Sequence, residues 1–215
     1  MKSLSRNSTR RRASASGIIG SGSTISFTFS GVTGQRVSLK LTGSTIAGYS
    51  AQLRQPNTLL IGSGNYAAGD SFLEPVTLSV DGTYTVNVDP SNANTGDVTL
   101  TLYDVPADQS GTLVLGGAAV NVAISAPGQN AALTFNATAA QQATVNISNN
   151  SAGAVTVTLL KPEPDGTYTA LTSTTASGSS FSLTTQTLPV TGVYKISIDP
   201  SGPNTGTMNV NVTNP

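Results

Sequence analysis

One run of residues occurs twice and constrains the chain more than any other feature. Gly82-Thr-Tyr-Thr-Val-Asn-Val-Asp-Pro-Ser-Asn-Ala-Asn-Thr-Gly96 returns, 110 positions on, as Gly192-Val-Tyr-Lys-Ile-Ser-Ile-Asp-Pro-Ser-Gly-Pro-Asn-Thr-Gly206. The shared pattern is G-x-Y-x-[VI]-x-[VI]-D-P-S-x-x-N-T-G. Upstream, Phe27-Thr-Phe-Ser-Gly-Val-Thr-Gly-Gln35 aligns with Leu133-Thr-Phe-Asn-Ala-Thr-Ala-Ala-Gln141 at an offset of 106. Two collinear matches whose offsets differ by four imply tandem homologous domains with a small insertion. The boundaries expected are a first domain over 17–104, a linker over 105–110 and a second domain over 111–215.

Within each repeat the apolar period is two. Ile25, Phe27 and Phe29 alternate with polar neighbours, as do Val37, Leu39 and Leu41, then Val76, Leu78 and Val80, then Tyr84, Val86 and Val88, then Val98, Leu100 and Leu102. The second repeat has Val145 and Ile147, Val155, Val157 and Leu159, Tyr194, Ile196 and Ile198, and Met208, Val210 and Val212. Such alternation puts one strand face in a core and the other in water. Asp81-Gly82, Pro127-Gly128, Asp165-Gly166 and Thr191-Gly192 punctuate the runs as turns. No window has a competing helical period. The fold class predicted is all-β: two tandem antiparallel β-sandwiches of the jelly-roll or immunoglobulin-like kind.

Composition narrows the chemistry. The 215 residues include 31 Thr, 27 Ser and 16 Asn, yet only 9% are charged, and there is no Cys, His or Trp. A zinc site of the usual nitrogen and sulfur type, a haem, an iron–sulfur cluster and a His-dependent triad all lack their residues. Disulfides are excluded as well. The neutral, hydroxyl-rich composition suits a β-rich exterior protein, and the expectation is a chain that is not an enzyme and carries no cofactor.

Five of the ten basic residues, Lys2, Arg6, Arg10, Arg11 and Arg12, fall in the first twelve positions, and no acid precedes Asp70. Residues 17–215 hold five basic and ten acidic residues, a net of minus five. A basic arm over 1–16 therefore precedes a mildly acidic body. With one large apolar residue after Met1, the arm is expected to be disordered or ordered by a partner. It lacks the apolar run of a secretory signal, and no stretch is long and apolar enough to span a membrane.

The repeated G-x-Y-x-[VI]-x-[VI]-D-P run, with Asn-Thr-Gly before a last strand, resembles the bacterial pre-peptidase C-terminal (PPC-like) β-sandwich domains. The Leu102-Tyr-Asp-Val-Pro106 run, followed by Gly111-Thr-Leu-Val-Leu-Gly-Gly117 and Pro127-Gly-Gln-Asn130, is similar to junctions between such domains in long bacterial surface proteins. The resemblance covers nearly everything beyond residue 17. It implies a non-catalytic module of secreted or surface proteins, used for attachment, spacing or assembly, and hence an extracellular or cell-surface location.

Candidate sites follow from the repeat. Asp89 and Asn94, with Asp199 and Asn204, sit at equivalent strand ends. Asp-Pro-Ser is turn chemistry, and the alternative is a pair of calcium loops in which carboxylate, amide and hydroxyl oxygens converge. Tyr84 and Tyr194 fall on the inward phase just after a Gly turn, where a tyrosine-corner hydroxyl would pin a loop. Tyr49, Tyr66, Tyr103 and Tyr168 lie near turns or strand ends and could form a sugar-stacking surface. The pairs Asp70/Glu74 and Glu163/Asp165 have the residue types of glycoside hydrolysis, but each flanks turn residues and reads as a solvated loop. Asn136, Asn146, Asn149 and Asn211 fit the glycosylation sequon.

The second domain opens with two apolar stretches, Thr112–Leu115 and Val120–Ile124. Shifted back by 106 they fall on residues 6–18, which are polar and Arg-rich, so the first domain is expected to lack this strand pair. A sandwich short of edge strands invites a strand from another subunit. The assembly residues expected are Arg6, Arg10, Arg11 and Arg12 of the arm with Ile18 and Ile19 at the edge. Three function classes result: a structural or adhesive protein that self-assembles into a filament or surface layer through strand complementation, a coat-type protein whose Arg-rich arm binds nucleic acid, and an accessory binding module of a larger secreted enzyme.

Overall fold

The structure, a computed structural model, describes residues 2–3, 12–20 and 22–215. The chain divides into two compact units, Met1–Val105 and Pro106–Pro215. Among the described residues every regular element is a β-strand. Among these residues no helix is long and apolar enough to cross a membrane.

Among its described residues unit 1 has seven strands: β1 (Lys2–Ser3), β2 (Arg12–Ile19), β3 (Ile25–Gly31), β4 (Arg36–Arg54), β5 (Leu60–Thr77), β6 (Gly82–Pro90) and β7 (Gly96–Asp104). Their order is β1-β3-β6-β4-β7-β2, with β5 also on β4. The 19-residue β4 serves both layers of the sandwich. Val37–Thr42 pairs with β7, and Tyr49–Arg54 pairs with β6. Its register against β5 breaks between Leu41 and Ser44 and again between Ser44 and Gly48, which is where the strand turns the corner. The alternating residues meet in one core that includes Phe27, Leu39, Leu41, Leu53, Tyr84, Val86, Leu100 and Leu102, each at most 1% exposed. Burying each such side chain stabilises the fold by roughly 1.5–3 kcal/mol before conformational entropy is charged.

Unit 2 has ten strands: β8 (Gln109–Thr112), β9 (Val120–Ile124), β10 (Ala131–Ala137), β11 (Gln142–Ser148), β12 (Val155–Pro162), β13 (Tyr168–Ala176), β14 (Phe181–Ser182), β15 (Gln186–Thr187), β16 (Gly192–Pro200) and β17 (Gly206–Thr213). One sheet runs β13-β12-β16-β10-β8, and the other runs β14-β11-β17-β9 with β15 also on β11. β11 and β12 together occupy the place of β4, broken at residues 149–154. Phe135, Val157, Tyr194, Ile196, Met208 and Val210 centre its core.

The all-β sandwich expectation holds, with one addition: each unit has a parallel pairing, β1 on β3 and β8 on β10. The missing strand pair is corrected. Arg12–Ile19 forms β2 and pairs antiparallel with β7 through eight residues, in the position that β9 takes on β17. The reading failed because the inward side chains of β2 include Ala15 and Gly17, too small to register as an apolar alternation. Arg12–Ser16, assigned to a disordered or partner-ordered arm, are thus part of a sheet. Of the other arm residues, Lys2 and Ser3 form β1, while Arg6, Arg10 and Arg11 lie outside the described residues. The first stretch of unit 2 is also displaced: β8 ends at Thr112, where a strand over Thr112–Leu115 was expected.

Outward faces carry hydroxyls bonded across strands: Ser16 with Thr99 (2.9 Å), Thr156 with Thr175 (2.8 Å) and Thr158 with Ser173 (2.9 Å). Asn121 and Asn209 form a further rung at 3.0 Å. Cross-strand pairs of this kind each contribute about 0.2–1 kcal/mol.

Candidate functional site: the repeated strand-end corners

The repeated D-P-S-x-x-N-T-G run connects β6 to β7 in unit 1 and β16 to β17 in unit 2, and both copies perform the same task. Where β4 turns its corner, the Gly48 carbonyl accepts from Ser91 N (2.8 Å) and from Asn94 Nδ2 (3.2 Å). In unit 2 the Ala154 carbonyl accepts from Ser201 N (2.9 Å) and Asn204 Nδ2 (3.3 Å). One position past the glycine that both copies share, Asp97 N donates to Thr45 Oγ1 (2.8 Å) and Thr207 N to Ser151 Oγ (2.9 Å). The glycines are required by space and by conformation. Gly96 has φ +149° and Gly206 φ +156°, and a β-carbon there would stand 2.9 Å from Ile46 N or 2.7 Å from Ala152 N. The motif therefore folds a loop onto the corner of the crossing strand.

The aspartates of this motif cap the neighbouring strand. Asp89 Oδ1 accepts from Thr24 Oγ1 (2.9 Å). Asp199 Oδ1 accepts from the Asn130 amide (3.0 Å) when that amide presents its nitrogen. Partial desolvation, and then the nearby Asp108 charge, hold the Asp199 carboxyl above its usual range. The four calcium candidates thus divide into two anchored carboxylates and two amides whose nitrogens face carbonyls. Among the described residues no three His, Cys, Asp or Glu side chains group as metal ligands.

Tyr84 and Tyr194 are fully buried, and each hydroxyl closes a loop as the tyrosine-corner expectation requires. Tyr84 Oη donates to Val80 O (2.6 Å) and accepts from Val80 N (3.3 Å), and Tyr194 does the same at Val190 (2.7 and 3.2 Å). Phe29 and Phe135 stack on these rings at centroid separations of 5.5 and 5.6 Å.

The remaining candidates take structural places. Tyr49 is 1% exposed and cannot stack on a sugar; its ring lies 5.7 Å from that of Tyr66. Burial, followed by Tyr49 and Glu74, pushes the Tyr66 hydroxyl up. Tyr168 is partly exposed and sits under the Lys195 ammonium at 5.7 Å. Asp70 accepts from Gly43 N (3.0 Å) and faces Lys40 at 3.9 Å. Glu163 accepts from Lys161 and Thr169, and Asp165 from Thr167 N and Oγ1 (2.9 and 2.6 Å), which holds both carboxyls below their usual range. Of the assembly residues, Ile19 is a core side chain at 2% exposure, Ile18 points outward at 81%, and Arg12 is the first residue of β2.

Among the described residues three buried amides, Gln55, Gln129 and Asn150, went unnoticed in the sequence; Gln55 Oε1 accepts from Ser79 Oγ at 2.9 Å. Gln129 is fully buried; its Oε1 accepts from Ser125 N (2.7 Å) and Oγ (2.9 Å), and its Nε2 donates to Ala107 O (2.8 Å). Asn150 joins Gly153 O (2.9 Å) to Gly178 O (3.1 Å). Gln129 carries a local signal, the preceding Pro-Gly turn; the contacts of Asn150 reach a loop 28 residues away, which no local pattern reveals.

No family model matches the chain, and no curated protein matches it in sequence. Several solved structures are similar to it. PliG of Aeromonas hydrophila, a periplasmic lysozyme inhibitor of g-type lysozyme, has 18% identity and a TM-score of 0.39 over 48% of this chain and 94% of its own. The pre-peptidase C-terminal domain of collagenase from Bacillus anthracis has 14% identity and a TM-score of 0.40 over 50% of this chain and 97% of its own. The PBSX exported protein XepA has 12% identity and a TM-score of 0.35 over 92% of this chain and 84% of its own.

Proposed function

We propose that the chain is a non-catalytic structural module of an extracellular or cell-surface protein, in which two sandwiches of one design act as spacer and attachment units. The observation that carries this reading is the matched set of latches. Tyr84 and Tyr194, and Asn94 and Asn204, make the same bonds in both units, and Gly96 and Gly206 fill equally crowded positions, so what the repeat keeps is the means of holding its shape. Outward hydroxyls such as Thr156 and Thr175 are bonded to one another, and the exterior is poor in charge, which suits an environment of variable salt. The motif resemblance to PPC-like domains supports the same reading. Strand donation from another subunit loses its premise, because β2 already fills the expected gap.

Antibody labelling of intact cells that make the protein tests the location: the epitope should be reached without lysis. Labelling only after lysis would overturn the reading. Sedimentation tests the assembly state, and a monomer at all salt concentrations is expected. A stable oligomer would restore strand donation, and salt-sensitive retention on DNA would favour the coat-type reading.

A further inference from the structure

We infer that unit 2 is built to carry tension, with residues 107–116 as a shear clamp; this rests on reading the chain as a structural module. The segment is fastened to both sheets in succession. Gln129 Nε2 holds Ala107 O (2.8 Å), Gln109 N donates to Asn130 O (2.9 Å), and β8 then runs parallel to β10 through Gln109–Thr112. Leu113 N donates to Thr134 O (2.7 Å) while its side chain enters the core at 3% exposure. The segment then crosses to the other sheet, where Leu115 bridges Val212 in parallel and Gly116 N donates to Val212 O (2.7 Å).

Parallel pairing decides how force acts. Because Leu115 runs parallel to β17, Ala107 and the end of β17 lie at opposite poles of the unit. A pull applied to those two points lies along the strands. The hydrogen bonds of the segment are then loaded together, in shear, and none yields before its neighbours. An antiparallel terminal pair pulled from one pole would instead open bond by bond. Forced unfolding is set by the unfolding barrier, so the parallel arrangement raises the barrier along this one direction with no change in equilibrium stability. Gln129 adds a side-chain bond at the point where the load enters, which gives this buried amide a purpose beyond the turn it closes.

Single-molecule force spectroscopy on the full chain tests the inference, and the absence of Cys makes the handles unambiguous. Thiols at exposed positions, Ala107→Cys with Asn214→Cys, load unit 2 in shear. Ala119→Cys with Asn214→Cys load it at one pole, since β9 is antiparallel to β17 with Val120 opposite Val210. A high-force event is expected in the first geometry and its loss in the second. Gln109→Pro, which removes the N–H bonded to Asn130 O, should lower the force in the first geometry and leave the second unchanged. Equal forces in the two geometries, or an unaltered shear force in Gln109→Pro, would overturn the clamp while leaving the structural-module reading intact. Labelling only after lysis would overturn that reading whatever the forces.

Discussion

Ile25 fills the space that a side chain at Gly17 would need: a β-carbon on Gly17 would stand 2.0 Å from Ile25 Cδ1. Gly17 pairs with Val98 and Ile25 with Val88. At the equivalent positions of unit 2, Val122 pairs with Met208 and Ala131 with Ile198. One unit therefore combines a small residue on its edge strand with a large one on the next strand, and the other reverses the sizes. Gly17→Val should destabilise unit 1 by about 1–3 kcal/mol through overpacking. Adding Ile25→Ala should recover most of that loss. Denaturant unfolding of the two single variants and the double variant gives the coupling, and strictly additive losses would refute the exchange.

The strand-end corners should depend on amide nitrogen and not on metal. Asn94→Ala and Asn204→Ala each remove a donor to the corner carbonyl and should cost about 1 kcal/mol. Gly206→Ala should cost more, since it adds left-handed strain to a backbone clash. Calcium or a chelator should leave the melting temperature unchanged, and a rise with calcium would restore the calcium-loop reading.

Tyr84→Phe and Tyr194→Phe keep the ring stack and delete only the hydroxyl. Each should destabilise its unit by about 1–3 kcal/mol, because Val80 or Val190 loses its partner for both N–H and C=O. Amide exchange should quicken at Val80 or Val190 first, and unchanged exchange there would disprove the latch.

Acid should act on Asp81, whose carboxylate accepts from Thr33 N (2.7 Å) and Oγ1 (2.8 Å) and is thereby held below the ordinary 3.8. A carboxyl lowered by folding stabilises above its unfolded value, and that contribution disappears as pH falls through the lowered value. Unit 2 closes the same loop with Thr191, whose Oγ1 accepts from Ala139 N at 3.0 Å. Asp81→Thr should therefore flatten the acid limb of unit 1 stability, followed by urea unfolding from about pH 2 to 7. Asp199 has the opposite sign: its raised carboxyl favours the folded state below 3.8, and that advantage is lost as pH rises through the raised value. Asp108→Asn should bring Asp199 back toward its ordinary value in an NMR titration.

Much of the architecture is legible in the sequence because its signal is local. Phe27 and Phe29, or Val86 and Val88, announce a strand by alternation alone, and the repeat announces the second copy. β2 escapes that reading because Gly17 is small for the sake of Ile25, a residue on another strand. The middle of β5, Gly62–Ser71, escapes it too; it has little apolar alternation and becomes a strand by pairing with β4. At the corners, Asp-Pro-Ser can be read as a turn. The role of Asn94 cannot, because the Gly48 carbonyl that it holds is 46 residues away.

The unbroken β4 of unit 1 and its divided counterpart in unit 2 differ in what they permit a protein engineer, or evolution, to add. In unit 1 the crossing lies within one strand, so extra sequence at Gly43–Gly48 would split β4 beside the Ser44–Gly69 pair. In unit 2 the same crossing is the loop at residues 149–154, with its Ala154 carbonyl already held by Ser201 and Asn204. Foreign sequence placed between Asn149 and Asn150 would leave both flanking strands paired. The two units thus offer one closed and one open form of this crossing, and new surface can be grafted onto the open one.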